Sequence, residues 1–327
     1  MSSGPLASPF RQRLPWFGGD LQTLRDTLRP PKLPQDQGEP LPIALADGGA
    51  LLALHDRVAH PRGLVLLLHG LGGSSRREGL RRMGLALQNA GFSVLRLNLR
   101  GAGPGRELAS GTYAACCNSD LAPVLQRARQ LAAGQPLLGV GISLGGSILL
   151  NACLDPQLSG LQPALDGLVC TSSPLDLAAC SASIERPRNR IYQRWLMQRL
   201  VAQTLEDPGG VSAQEAHALQ AVRSIRDFDQ AITAQRWGYG HVDRYYNEAS
   251  PVHRLHQLQV PCMLLQAEDD PWVPADVTAA QQGRSPTLEV LLTRHGGHNG
   301  FHGVGDSPLA CWGDRLTARW LQGLIGG

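Results

Sequence analysis

The stretch Gly141-Ile142-Ser143-Leu144-Gly145 has the strongest chemical signature in the chain. It follows an apolar run at 136–142 and opens a helical pattern at 145–154. A serine on a strained strand-to-helix turn projects its hydroxyl above a sheet, and small flanking residues let strand and helix pass closely. The backbone NH of Leu144 then points the same way, which puts a donor for a developing oxyanion beside a nucleophile. A second loop, His69-Gly70-Leu71-Gly72-Gly73, follows the run 63–68. Its expected contribution is the NH of Leu71 as second oxyanion donor, with His69 as scaffolding. An acid is available in Glu268-Asp269-Asp270-Pro271-Trp272-Val273-Pro274, where a carboxylate can orient a histidine and stabilise its imidazolium. Two adjacent aspartates cannot both face one imidazole. Asp270 is favoured because Pro271 and Pro274 put it at the start of the turn; Asp269 is the alternative, or else satisfies loop NH groups. The base is sought in His295-Gly296-Gly297-His298-Asn299-Gly300-Phe301. It must reach both serine and acid, so it belongs on a mobile loop after the last strand, and His298 between glycines suits that better than His295 or His302.

Each feature has a plainer reading: Ser143 as a helix cap, the glycines as ordinary turns, His298 as a satisfied surface or core residue. Their order weighs against this. Ser143, Asp270 and His298 each follow a separate strand-like run, in the nucleophile–acid–base order of α/β-hydrolases.

Those runs are 63–68, 92–97, 136–142, 167–170, 261–265 and 288–292, each apolar without polar alternation. Strands covered on both faces of a parallel sheet read this way. Helical segments at 76–90, 119–133 and 145–154 separate them, so right-handed βαβ crossovers and an α/β sandwich are expected. Ligands on such sheets bind beyond the carboxyl ends of the strands. Ahead of this, 41–46 and 50–55 flank Asp47-Gly48-Gly49, a turn that joins antiparallel strands. Residues 1–40, with Pro30, Pro31, Pro34 and Pro40, read as an irregular lead-in. The alternation breaks at 174–250, where 189–205 and 212–221 carry helical spacing; this is expected to be a helical cap over a core formed by 41–173 and 251–327. Arg186, Arg188, Arg190, Arg194 and Arg199 face one nearby acid, Glu185, and read first as a solvated helix face.

Composition narrows the function classes. The chain has 327 residues, and 30 Lys+Arg against 27 Asp+Glu leave a net charge of +3, too even for a nucleic-acid binder. Lys32 is the only lysine, and the arginines are spread along the chain. Seven cysteines without a CxxC pair or zinc spacing indicate reduced, mostly buried thiols. Residues 1–9 lack the charged and apolar regions of a secretory signal, and no apolar run is long enough to span a bilayer. A cytoplasmic protein without a transmembrane segment is the expectation.

The sequence resembles the α/β-hydrolase superfamily and, within it, the YheT family of esterases. His69 to Ser74 looks like that family's oxyanion loop, Asn98-Leu99-Arg100-Gly101 like its Asn-x-Arg-Gly turn, and Gly141 to Gly146 like its nucleophile elbow. Asp229, Gly238-Tyr239, Tyr245-Tyr246, Ser250, Pro261 and Asp269-Asp270 follow its extended signature in order, and Gly296-Gly297-His298 completes it. The resemblance runs from about Trp16 to the C-terminus and implies a serine hydrolase of carboxylic esters, with Ser143, Asp270 and His298 at the triad positions. Two departures stand out. Gly18-Gly19-Asp20-Leu21-Gln22-Thr23 has Asp20 where a histidine is usual, and the turn at 101–105 lacks an expected serine.

The expected reaction is acyl transfer through Ser143 to water, with no metal or organic cofactor and a small-molecule ester as partner, lipid-like in its acyl part. Trp195, Met197, Trp237, Tyr239, Tyr245 and Tyr246 could wall an apolar pocket or simply pack the cap. An alcohol acceptor would make the protein an acyltransferase, and a silent hydrolase fold would make it a binding protein.

Overall fold

A computed structural model of the chain describes residues 9–159 and 164–326. The expectation about a secretory signal therefore lies, apart from Pro9, outside the described residues, as do the first eight residues of the irregular lead-in.

Eight strands form one sheet in the order β1-β2-β4-β3-β5-β6-β7-β8. They are β1 (Glu39–Ala44), β2 (Ala50–Asp56), β3 (Leu64–Leu68), β4 (Ser93–Leu97), β5 (Leu137–Ile142), β6 (Gly167–Thr171), β7 (Cys262–Ala267) and β8 (Leu288–Thr293). The turn at Asp47-Gly48-Gly49 joins β1 to β2 with Ala44 opposite Ala50, and the Asp47 carboxylate accepts the Gly49 NH at 3.0 Å. β2 also runs antiparallel to β4, and every later pairing is parallel. All the apolar runs in the sequence fall on strands, because both faces of the sheet are covered. Leu64, Leu66 and Leu68 enter one core cluster while Val65 and Leu67 enter the opposite one. Burying both sides removes the polar alternation that would mark a half-exposed strand. β8 is the exception, a sheet edge with Glu289 exposed.

The crossover helices are α2 (Glu78–Asn89), α3 (Asn118–Ala132) and α4 (Leu144–Cys153), close to the expected segments. The lead-in departs from the reading as irregular, since α1 (Gly19–Leu28) is a ten-residue helix. The prolines that argued against helix begin only at Pro30, and Leu21, Leu24 and Leu28 keep helical spacing before them. Between β6 and β7 the described elements are all helical, including Leu177–Ile184, Arg190–Leu205, Ala213–Ala221 and Val242–Ala249. Ile184, Leu196, Leu200, Leu219, Ile225 and Phe228 give this segment its own apolar cluster. No helix among the described residues is long and apolar enough to cross a membrane.

Buried ion pairs fasten α1 to α2 and α2 to the C-terminal helix. Arg82 of α2 donates Nε to Asp314 Oδ2 at 2.6 Å and Nη1 to Asp26 of α1. Asp314 in turn accepts the Cys311 NH at the start of the C-terminal helix Trp312–Ile325. Arg82 and Asp314 are each only 4% exposed, so removing the cation strands a carboxylate away from water. Arg82→Met is expected to destabilise the fold by about 3–5 kcal/mol, read as a lower urea midpoint at unchanged m-value.

Candidate functional site

β5 ends at Ile142, and Ser143 turns the chain into α4 at φ 55°, ψ −127°. Its NH donates to Thr171 O at 2.8 Å and its carbonyl accepts from the Gly146 NH at 2.9 Å, which hold this sparsely populated conformation. The turn closes only without side chains at its sides: a Cβ on Gly141 would lie 2.3 Å from the Gly146 backbone. On neighbouring β3, the loop after Leu68 comes so close that a Cβ on Gly70 would lie 2.8 Å from Ser143 Cβ. β3 and β5 flank the point where strand order reverses, the crevice at which such sheets bind ligands.

The structure brings Ser143, His298 and Asp270 together in series. Ser143 Oγ lies 2.9 Å from His298 Nε2, and His298 Nδ1 lies 2.9 and 3.2 Å from the two Asp270 oxygens. With the carboxylate on Nδ1, the network assigns the proton there and leaves Nε2 free to accept the serine hydroxyl. Asp270 is wholly enclosed; its Oδ1 accepts the NH groups of Trp272 (2.8 Å) and Val273 (3.0 Å), and Oδ2 accepts Gln266 Nε2 at 3.2 Å. Asp269 faces elsewhere, toward His295 Nδ1 at 3.1 Å and the Gly297 NH at 2.8 Å. His302 is buried between Asp26 and Asp306, so of the three histidines on this segment His298 is the one at the serine. Leu144 is the first residue of α4, where a backbone NH has no intrahelical acceptor, and the Leu71 NH likewise has no acceptor among the described residues.

The loop bearing His298 is pinned at consecutive backbone groups, which departs from the expected mobile loop. Gly297 NH donates to Asp269, His298 NH to Thr23 Oγ1 at 2.8 Å, and Asn299 NH to Ser172 Oγ at 3.1 Å. Thr23 belongs to α1, whose Gln22 exchanges two bonds with the His302 backbone, at 2.7 and 2.9 Å. Reading residues 1–40 as irregular concealed this clamp, although the Gly18 to Thr23 stretch marked its position. Asp20, the departure within it, accepts the Tyr192 hydroxyl at 3.0 Å and pairs with Arg188 at 2.9 Å, tying α1 to the helical segment. Trp272, which had no assigned role, stacks on the His298 ring with centroids 4.3 Å apart.

His69 is scaffolding by geometry. Its Nε2 accepts the Leu99 NH at 3.2 Å, so the proton sits on Nδ1 and is donated to Gly70 O at 2.8 Å. Burial pushes its pKa down to about 4. Above the serine a cavity of about 500 Å³ opens, lined by Leu177, Ile184, Leu196, Leu200 and Phe228 among others. Trp195, Tyr245 and Tyr246 also line it; Trp237 and Tyr239 pack on the sheet's main core and Met197 in the separate cluster of the helical segment. Asp229 is a buried carboxylate on the helical side of the cavity. It accepts Thr233 Oγ1 at 2.7 Å and the Tyr246 hydroxyl at 2.8 Å, and burial raises its pKa to about 6.

Two outcomes follow. Thr23→Val leaves the His298 NH without an acceptor and is expected to lower kcat roughly tenfold with KM little changed, as for a lost neutral hydrogen bond at a positioning residue. For His69, the unfolded chain takes up a proton from pH ~6.5 downward while the folded chain waits until about 4, so stability falls with pH through that window by about 3 kcal/mol. Urea unfolding of His69→Gln compared with the parent protein is expected to show a shallower acid decline.

Residues 59–302 match the family described as serine aminopeptidase, S33. The chain is 32% identical over 261 residues to YheT of Escherichia coli (strain K12), covering 79% of this chain and 76% of that protein. It is 30% identical over 271 residues to phospholipase ABHD3 of Mus musculus, covering 82% of this chain but only 65% of that protein's length. In fold it is similar to the esterase domain of a Rhodothermus marinus protein, with a TM-score of 0.53 at 16% identity, covering 89% of this chain and 100% of that one. By matched family, by identity to YheT and by strand order, the chain belongs to the α/β-hydrolase superfamily, in the serine aminopeptidase S33 and YheT families.

Proposed function

We propose that the protein hydrolyses small carboxylic esters with lipophilic acyl groups by two-step acyl transfer. The observation that carries this is the serial contact of hydroxyl, imidazole and carboxylate at 2.9 Å each. Ser143 Oγ attacks the ester carbonyl as His298 Nε2 takes its proton, and Asp270 keeps the imidazole in the accepting tautomer and stabilises the imidazolium. The carbonyl oxygen, now negative, receives the NH groups of Leu71 and Leu144. His298 then protonates the departing alcohol, and a water that it deprotonates releases the acid from Ser143. The apolar cavity suits the acyl chain, and the phospholipase name of a relative agrees with a lipid-like substrate. Seven free thiols, most of them buried, suit a reducing compartment such as the cytoplasm.

Ser143→Ala is expected to abolish turnover of p-nitrophenyl esters and labelling by a fluorophosphonate, with an unchanged unfolding midpoint; a mutant with parental turnover would overturn the assignment. Across p-nitrophenyl esters of increasing acyl length, kcat/KM is expected to climb about fourfold per added methylene until the cavity is filled, from about 0.8 kcal/mol per buried CH₂. A flat profile would rule out an acyl-selective cavity.

A further inference from the structure

Buried and half-buried arginines in this chain are paired with acids nearly everywhere. Arg82 meets Asp26 and Asp314, Arg96 meets Asp36 and Asp56, Arg100 meets Asp47 and Asp120, and Arg236 meets Asp207 and Glu215. Two arginines on the wall of the catalytic cavity depart from this habit. Arg77 stands at the start of α2, just beyond the oxyanion loop, and Arg199 comes from the helix Arg190–Leu205 on the opposite side. Among the described residues no carboxylate oxygen lies within 4.0 Å of either guanidinium. The protein brings them together on one indole instead: Arg199 Cζ lies 4.3 Å and Arg77 Cζ 5.9 Å from the centre of the Trp195 ring.

Two cations gathered beside one ring repel each other, and partial burial strips them of water. The pKa of Arg77 is drawn below the usual guanidinium value by that desolvation, against a weaker opposing pull from Glu78. Arg199 spends one NH on Gly72 O at 3.2 Å, which holds its charge against the loop that carries the proposed oxyanion donor Leu71. Both arginines line the catalytic cavity and also the shallower groove beside it, which places them where cavity meets surface. Glu78 and Glu206 border that groove as well, beyond ion-pair distance.

The geometry points to a receiving site for an anion: we propose that Arg77 and Arg199, backed by Trp195, bind a negatively charged group carried on the alcohol side of the ester. A guanidinium fork presents paired NH donors, and a phosphate or carboxylate can accept from both arginines at once. The alcohol side is assigned because the acyl chain takes the apolar cavity. That assignment rests on the acyl-transfer reading above.

The test compares matched octanoyl esters: glycerol against glycerol phosphate, and para-hydroxybenzamide against para-hydroxybenzoate. Released octanoate gives kcat/KM for each. In the parent protein at least one anionic ester is expected to exceed its neutral partner roughly tenfold, the worth of one charged hydrogen bond. A preference in both pairs marks a general anion site, and one in the first pair alone a phosphate site. In Arg77→Gln/Arg199→Gln the ratio is expected to fall to about one, in Arg199→Lys to be partly kept, and in Arg194→Gln, on the exposed face of the same helix, to stay as in the parent. Equal rates within both pairs for the parent protein, or a ratio that survives the double substitution, would overturn the proposal. A double variant that loses neutral and anionic turnover together at constant ratio would also overturn it, leaving the arginines a packing role on Trp195. Failure of the parent protein to cleave even the neutral esters would instead count against the acyl-transfer reading.

Discussion

Ser143 occupies a backbone conformation that L-residues avoid, at φ 55°, and the surrounding architecture follows from keeping it there. Such a conformation costs about 1–3 kcal/mol and survives only where neighbours over-determine it. The flanking strand supplies Thr171 O, and α4 supplies the Gly146 NH. β5 and α4 must then nearly touch, and the loop after β3 must lie against the serine. Bare backbone is needed on both sides for this, at Gly141 and at Gly70. In return the hydroxyl stands at the place where strand order reverses, within 2.9 Å of the His298 imidazole.

The imidazole is held by a different kind of constraint. Asp270 is sealed from solvent but not left as a bare charge, since two backbone NH groups and the Gln266 amide share it with His298. Asp269, its neighbour in sequence, holds the loop backbone, so the adjacent acids divide orientation and anchorage between them. The remaining anchor comes from α1 through Thr23 and Gln22, and α1 is itself tied down by Asp26 on Arg82. A buried ion pair some distance from the serine thus bears on the placing of His298. Pairs of this kind break at a high free-energy cost, because the partner left behind stays buried.

Over the cavity the helical segment contributes apolar walls, with an acid, Asp229, among them and the Arg199 guanidinium at the rim, opposite Arg77 of α2. The basic run read as a solvated face divides accordingly. Arg186, Arg188, Arg190 and Arg194 are exposed, whereas Arg199 turns inward to Trp195 and Gly72.

What the sequence determined by itself was whatever depends on local pattern. The strands were legible because both faces of a buried sheet demand apolar residues, and the serine turn because small residues must flank a strand packed against its own helix. The order Ser143, Asp270, His298 was legible because each follows a separate strand. Tertiary structure decided what depends on distant partners. The Pro271 turn favoured Asp270 over Asp269 but left both open, and only the meeting of the loops set Asp270 on His298 and Asp269 on His295 and the Gly297 NH. α1 was hidden by the prolines after it, and its bond from Thr23 to residue 298 crosses nearly the whole chain. Likewise Arg199 differs from its exposed neighbours only in what the fold sets opposite it. Spacing in one dimension reports how a segment is covered, but which side chain completes another's hydrogen bond is settled only when the segments meet.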